Sequence, residues 1–401
     1  MPSSTGAPIL KAPLGVEKHR KYFDKCLLGP IPHYFATLEP SRMSLVFFLI
    51  GGMAITDSLE SLKASGAGTA VADWIYMMQV EPTSENGGAA GFRSSSVLGC
   101  GEQISSASSD SPIHTLDTSH ITMTYCALAA LAILGDDFSR VNRAAIVQHL
   151  RSLQREDGSF QAVSYGPGMK ALDFTAPGPD GQPLPGIGDS EYDMRFLFSA
   201  CAVSWLLDDW SGIDQVRALE YIRQSYNYDG GFGQGPFLES HGGSTFCALA
   251  SLSLMGKLDE ALPDRDHTIQ WLIHRQLELS YNGRPHKDED SCYSFWVGSS
   301  IELLESGHLP DHAKIMTYLS KCQSVIGGLS SSMGGSPDPI HSYLGLCGWH
   351  LCQKHLGSAG VENLDDAPAD FPLISIDTSL DMPLHSVEHM KKLHAQWKKQ
   401  D

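Results

Sequence analysis

Three times in the second half of the chain an amphipathic stretch, a glycine-rich turn and a mostly apolar stretch follow one another. RALEYIRQSYNYDGGFG leads to SHGGSTFCALASLSLMG, HTIQWLIHRQLELSYNGRP to DSCYSFWVGSSIELLESG, and IMTYLSKCQSVIGGLSSS to PIHSYLGLCGWHLC. The second stretches align at Ser244, Cys292 and His341, in steps of 48 and 49 residues; Trp271 and Tyr318 in the first stretches lie 47 apart. A single hairpin cannot bury an all-apolar helix, so the units must stack on one another. The expected fold class is all-α, with apolar second helices inside, amphipathic first helices outside, and the turns gathered at one end. Such a stack either closes into an α/α toroid (an α-α barrel) or stays an open solenoid, and the period alone permits both.

The same grammar runs upstream more weakly. VEKHRKYFDKCLL reads as a helix with a charged face, and Ser41 is placed to cap a buried helix starting near Arg42. Thr69 to Val80 is expected to be helical, with Trp74, Met77 and Met78 as its buried stripe. HITMTYCALAALAILG is a helix ended by Gly135, 146–153 another, and EYDMRFLFSACAVSWLL a third that carries Arg195 in an apolar run. Gln79, Gln154, Gln224, Gln276 and Gln323 close first helices and are expected at one shared structural place. The domain reading is a flexible tail at 1–15, one barrel over 16–357 with a Gly/Pro-rich rim insertion at 162–190, and a C-terminal extension at 358–401. That extension reads as loop through Pro383, then as helix through Trp397.

A net charge of -18 argues against a nucleic-acid partner and an anionic-membrane patch, while leaving room for a basic pocket or a positively charged protein substrate. The nine scattered cysteines read as reduced thiols of a cytoplasmic protein. No apolar run is expected to reach the length of a membrane span, so an integral membrane protein is not expected.

Asp290, Cys292 and His341 offer a carboxylate oxygen, a thiolate sulfur and an imidazole nitrogen. Three such ligands with a fourth position open suit a catalytic zinc ion, Zn2+. The gap between Cys292 and His341 is one hairpin step, which brings the starts of two adjacent inner helices together. Bland alternatives are a helix cap for Asp290 and a polar loop residue for His341. Around them, His241, Arg284, Lys287, Tyr293 and Trp296 gather donors and an indole at the same rim, which suits phosphate groups; ordinary solvated charge is the alternative for Arg284 and Lys287. The chemistry divides between a substrate thiolate on the metal attacking a carbon with a phosphate leaving group, and a zinc-activated water with Glu289 as base. A non-catalytic helical scaffold is a further reading.

On SRMSLVFFLIGG, WIYMMQVEPT, GFRSSSVLG, EYDMRF, SHGGSTFCALASL, NGRPHKDEDSCYSFWVG and HSYLGLCG, the chain resembles the CaaX prenyltransferase beta-subunit family, in its geranylgeranyltransferase type I branch, over about 17–355. The resemblance implies an α/α toroid, zinc on Asp290, Cys292 and His341, and a heterodimer with a helical-repeat alpha subunit. It implies diphosphate contacts from His241, Arg284, Lys287, Tyr293 and Trp296. The implied reaction moves the geranylgeranyl group of geranylgeranyl diphosphate to the cysteine of CaaX-terminated small GTPases, with a terminal Leu preferred. Ser44, Arg195 and Leu344 fall where the family lines its lipid and peptide pocket. Ser44, small where farnesyltransferase has tryptophan, implies room for the longer lipid, although as a residue it reads equally as plain helix. Leu344 stands where the family usually has an aromatic, which keeps a farnesyl or dual-specificity enzyme as the alternative. Arg195 reads equally as a buried structural ion-pair residue. Ser331 stands where the type I branch has lysine, which leaves the magnesium requirement open.

Overall fold

The computed structural model describes residues 14–30, 33–84, 86–96, 118–164, 191–356 and 373–399, with backbone only at 33–36. Most of the tail at 1–15, most of the insertion at 162–190 and the first part of the extension lie outside the described residues. In chain order the helices are α1 (Val16–Leu28), α2 (Arg42–Ile55), α3 (Leu59–Ala64), α4 (Ala67–Met77), α5 (Ile121–Leu134), α6 (Arg143–Leu153), α7 (Met194–Leu207) and α8 (Gln215–Gln224). They continue with α9 (Gly242–Leu254), α10 (Leu258–Ala261), α11 (Arg265–Ile273), α12 (Tyr293–Leu303), α13 (His312–Cys322), α14 (Pro339–Leu356) and α15 (Leu384–Trp397).

The ring is closed. α2 packs on α5, α5 on α7, α7 on α9, α9 on α12, α12 on α14, and α14 returns to α2. These six inner helices are apolar almost all round, as a helix buried on both sides must be. α1, α4, α6, α8, α11 and α13 form the outer layer, so the open-solenoid alternative does not hold. Closure needs α2 to approach both neighbours closely. A side-chain carbon on Gly52 would lie 2.3 Å from the Phe23 ring of α1, and one on Gly51 2.7 Å from the Tyr343 ring of α14.

At four of five positions a glutamine after the outer helix ties one repeat to the next. The Gln154 amide exchanges hydrogen bonds with the backbone of Asp214, the cap of α8, at 2.7 and 3.0 Å. Gln276 does the same with Asp311, the cap of α13, at 3.0 Å each way. Gln79 reaches the backbone of Arg140 and Asn142 before α6. Gln323 accepts from the backbone of Gly15 at 2.9 Å and meets the His19 imidazole at 3.0 Å, so the last repeat is tied to the first. Gln224 does not occupy this place. Its amide donates to Glu220 one turn back, and Tyr226 takes the equivalent backbone bridge, to Phe232. The helix at α4 also differs from expectation: it ends at Met77, which is exposed, while Ile75, Tyr76 and Met78 are buried. Ser41 sits at the start of α2 but makes no side-chain cap.

Inside the ring, one aromatic from each inner helix meets the next. Ring centroids are 5.8 Å apart for Tyr343 and Phe47, and 5.5 Å for Phe47 and Tyr125, for Tyr125 and Phe198, and for Phe198 and Phe246. Phe246 then meets Trp296 at 4.9 Å. Such tilted and edge-on contacts are the favoured aromatic geometry.

The C-terminal segment plugs the end of the ring where the inner helices finish. Its hairpin pairs Ile376–Asp377 with Met382–Pro383, and the tip carries Leu380 and Asp381 into the ring. Tyr125 donates to the Leu380 carbonyl at 2.7 Å and Tyr343 to the Asp381 carbonyl at 2.8 Å. Helix α15 then lies across the inner-helix ends, with His394 on the Leu206 carbonyl and His389 on the Asp136 carbonyl. The window Thr37–Ile55 is long and apolar enough to cross a membrane, against the expectation that no run reaches that length; 61% of it is buried inside the ring.

Candidate active site at the metal rim

At the opposite end the inner helices begin, and every start except that of α2 is held by a side chain that accepts from the backbone. His120 accepts from Thr122 at 3.2 Å, Asp193 from Arg195 at 2.8 Å, His241 from Gly243 at 3.1 Å and Asp290 from Cys292 at 2.9 Å. Asp338 accepts from His341 at 3.0 Å. Capping satisfies donors that a helix start leaves orphaned. The cap reading and the ligand reading of Asp290 are therefore compatible: Oδ1 takes the Cys292 amide and the carboxylate still faces its neighbours.

One oxygen of Asp290, the Cys292 sulfur and one His341 nitrogen lie within 4.8 Å of one another. His341 Nε2 is 3.4 Å from Asp290 Oδ1, and Nδ1 is 2.6 Å from Asp338 Oδ2. A carboxylate only accepts, so Nδ1 carries a proton toward Asp338 and Nε2 is the nitrogen turned to the cluster. A carboxylate behind the imidazole is the usual support of a metal-binding histidine. With protons in place of a cation, burial works against a charged His341, but hydrogen bonds to Asp290, Asp338 and Cys292 outweigh it and push its pKa up to about 12. Burial pushes the Cys292 thiol up to about 12. Burial alone would also raise Asp290, yet the His341 bond and the Cys292 amide hold it below its ordinary value. This mixed oxygen, sulfur and nitrogen set fits a zinc ion with one position open.

The anion residues gather beside it. Gly242 donates its backbone N–H to the Gly283 carbonyl at 2.7 Å, joining the turns that carry His241 and Arg284. Gly283 has to be glycine because the Tyr293 ring lies on it; a side-chain carbon there would be 2.2 Å from that ring. Tyr293 Oη and His241 Nε2 are 3.0 Å apart. Since His241 Nδ1 accepts from Gly243, the neutral ring carries its proton on Nε2 and donates it to Tyr293 Oη, which leaves the Tyr293 hydroxyl proton to donate elsewhere. Burial, then the Arg284 charge, lowers the His241 pKa. Arg284 is half-exposed and donates to Glu239 at 2.6 Å. Lys287 is exposed at the turn tip, its carbonyl held by Asn282 at 3.0 Å. Trp296 keeps accessible surface one turn below Cys292.

The pocket residues behave differently from one another. Ser44 keeps some accessible surface, and its hydroxyl turns back to the Ser41 carbonyl at 2.7 Å. Arg195 is not a buried ion-pair residue: its side chain is half-exposed while it clasps Asp193 through Nε at 3.0 Å and Nη2 at 2.6 Å. Leu344 is fully buried and belongs to the packed wall rather than to its accessible face. Glu289 is committed to the fold, since one oxygen accepts from the backbone of Leu279 and of Ser280, at 2.7 and 2.6 Å. The water-activating alternative thereby loses the base it named. Ser331 meets the metal turn through its carbonyl, which accepts from Ser291 at 2.8 Å.

Two residues of this rim are absent from the sequence reading. His120 holds the start of α5 as His241 holds that of α9, and burial with the Arg195 charge lowers its pKa to about 4. Its signal is the pair Ser-His before both inner helices. Asp338 is marked only by lying three residues before His341.

Comparison with known proteins agrees with this geometry. The chain is 38% identical over 344 residues to the geranylgeranyl transferase type-1 subunit beta of Dictyostelium discoideum, covering 83% of this chain and 89% of that protein. It is 31% identical over 357 residues to the protein of the same name from Arabidopsis thaliana, covering 84% and 85%. The fold matches that of Candida albicans protein geranylgeranyltransferase-I complexed with GGPP, at a TM-score of 0.75 and 24% identity, over 96% of this chain and 100% of that one. Residues 14–395 match the prenyltransferase alpha-alpha toroid domain, and the chain belongs to that family.

Proposed function

We propose that this chain is the beta subunit of a type I protein geranylgeranyltransferase, active as a heterodimer with an alpha subunit. It moves a geranylgeranyl group from geranylgeranyl diphosphate to the cysteine thiol of proteins ending in CaaX, Leu-terminated ones preferred. The observation that carries the reading is one of adjacency: Cys292, in the metal set, and Tyr293, in the anion set, are consecutive residues at the head of α12.

Asp290, Cys292 and His341 would hold zinc, which when bound makes a substrate thiol reactive at neutral pH. Asp338 orients His341 by accepting a hydrogen bond from its Nδ1–H. The Tyr293 hydroxyl, whose oxygen accepts from His241 Nε2, has its proton to donate to the diphosphate, His241 holds it there, and Arg284 and Lys287 supply charge where the leaving group becomes more negative. Trp296, with Phe246 behind it, begins an aromatic wall suited to an isoprenoid tail. Ser44 leaves that wall open, and His120 beside Arg195 offers polar contacts to the peptide end.

Exposed Tyr228, Phe237 and Leu238 lie in the turn before α9, and Val325, Ile326 and Met333 in the turn before α14; apolar exposure of that kind supports a protein partner docking at this end. The eight described cysteines are free, which supports work in a reducing compartment such as the cytoplasm. The test is to purify the chain with an alpha subunit and offer geranylgeranyl and farnesyl diphosphate against CaaX peptides ending in Leu or Ser. Geranylgeranyl transfer to the Leu peptide should dominate; preferred farnesyl transfer would overturn the lipid assignment, and phosphate release without a peptide thiol the transfer itself.

A further inference from the structure

Within the anion pocket of the proposed function, one charged residue has the wrong sign. Glu239 lies two residues before His241, and its carboxylate accepts from Arg284 Nη1 at 2.6 Å. A carboxylate beside a diphosphate site repels the ligand, so its presence needs a use that outweighs the repulsion.

The backbone on both sides of Glu239 is fixed. Asn227 donates from Nδ2 to the Leu238 carbonyl at 2.7 Å and to Ser240 Oγ at 2.9 Å. Ser240 in turn donates to Asp229 at 2.6 Å, and Asp229 also accepts from the Trp271 indole at 3.0 Å. His241 donates its backbone N–H to Phe232 at 3.0 Å. Glu239 therefore projects from an anchored stretch of the His241 turn, although its carboxylate, like the Arg284 guanidinium, is half-exposed. Arg284 has the longer side chain of the two and the more freedom to lose. The two turns already share the Gly242 to Gly283 backbone bond, and the ion pair is their side-chain link. It uses one terminal nitrogen of the guanidinium. Nε and the other terminal nitrogen stay available, which is the fork that binds a phosphate oxygen pair.

We infer that Glu239 is a positioning residue for Arg284, holding the guanidinium in the orientation that receives the diphosphate. The inference rests on the proposed function and concerns one residue of the same site. Its use is preorganisation: a long side chain already ordered loses less freedom when the ligand arrives.

The experiment uses the alpha–beta complex with geranylgeranyl diphosphate as ligand, reading both direct binding and steady-state transfer. Glu239→Ala should raise KM and Kd for the diphosphate about tenfold, the scale of one lost charge-assisted tie, and lower kcat as well, since Arg284 also meets the charge that grows on the leaving group. Glu239→Gln should fall between wild type and Glu239→Ala, because its amide oxygen still accepts from Arg284. In an Arg284→Ala background, Glu239→Ala should add nothing. Tighter binding in Glu239→Gln would show a plain repulsive charge and overturn the assignment. An equal loss in the Arg284→Ala background would show a structural effect on the turn and overturn it too. A wild-type complex that neither binds the diphosphate nor transfers its lipid overturns the proposed function and this assignment with it. A working wild type with indifferent Glu239 variants overturns this assignment alone.

Discussion

His341 Nδ1–H donates a hydrogen bond to Asp338 across 2.6 Å, and that one bond decides which nitrogen faces Asp290 and Cys292. Replacing Asp338 with Ala should leave the ring folded and lower zinc affinity about 10- to 100-fold, the usual loss when the carboxylate behind a ligand histidine is removed. Competition against a chromogenic chelator measures it. Unchanged affinity would mean that the imidazole needs no such support.

Zinc uptake should release protons. His341 is raised to about 12 by its hydrogen bonds against the cost of burial, and the Cys292 thiol is raised to about 12 by burial, so both carry a proton at neutral pH. Binding should therefore expel about two protons, and affinity should climb with pH. Calorimetry in buffers of different ionisation enthalpy counts them. A pH-independent affinity would contradict a protonated His341 and Cys292 in the metal-free protein.

Gln323 and Gln224 make a matched pair for ring closure. Gln323→Ala orphans the Gly15 amide and takes the partner from His19 Nε2, while Nδ1 keeps its bond from Gly328, at a cost of about 1–3 kcal/mol. Gln224→Ala touches only Glu220 on the surface and should stay within about 0.5 kcal/mol. Urea unfolding compares them. Equal losses would remove Gln323 from its closing role.

Acid should weaken the fold through buried histidines. Burial lowers His149 from its ordinary 6.5 to about 4, and His120 likewise, with the Arg195 charge adding to it. The folded value lies below the unfolded one, so the stability from neutral burial is complete above pH 6.5 and is lost as pH falls from 6.5 toward 4. His149→Phe should flatten that loss in denaturation midpoints measured across this window. An unaltered slope would exclude His149 as a contributor.

Much of the metal rim was legible because the repeat makes distance in sequence into neighbourhood in space: Cys292 and His341 share a phase, and so do His120 and His241. The ring's closure followed from the family resemblance and not from the repeat period, since it depends on Gln323 meeting Gly15 and on two glycines under Phe23 and Tyr343. The plug was hidden for the same reason. Its holding bonds run from Tyr125 and Tyr343 to backbone carbonyls of a segment without the repeat pattern. Gln224 misled because identity of residue type is weaker evidence than position in the turn, where Tyr226 stands.

The most direct test of the whole account joins metal content to transfer in one variant. Cys292→Ala, purified with the alpha subunit, should remain a folded heterodimer, lose stoichiometric zinc, and lose geranylgeranyl transfer to a Leu-terminated CaaX peptide that the wild type modifies. Normal turnover by Cys292→Ala, or a zinc-free wild type that transfers the lipid equally well, would contradict it.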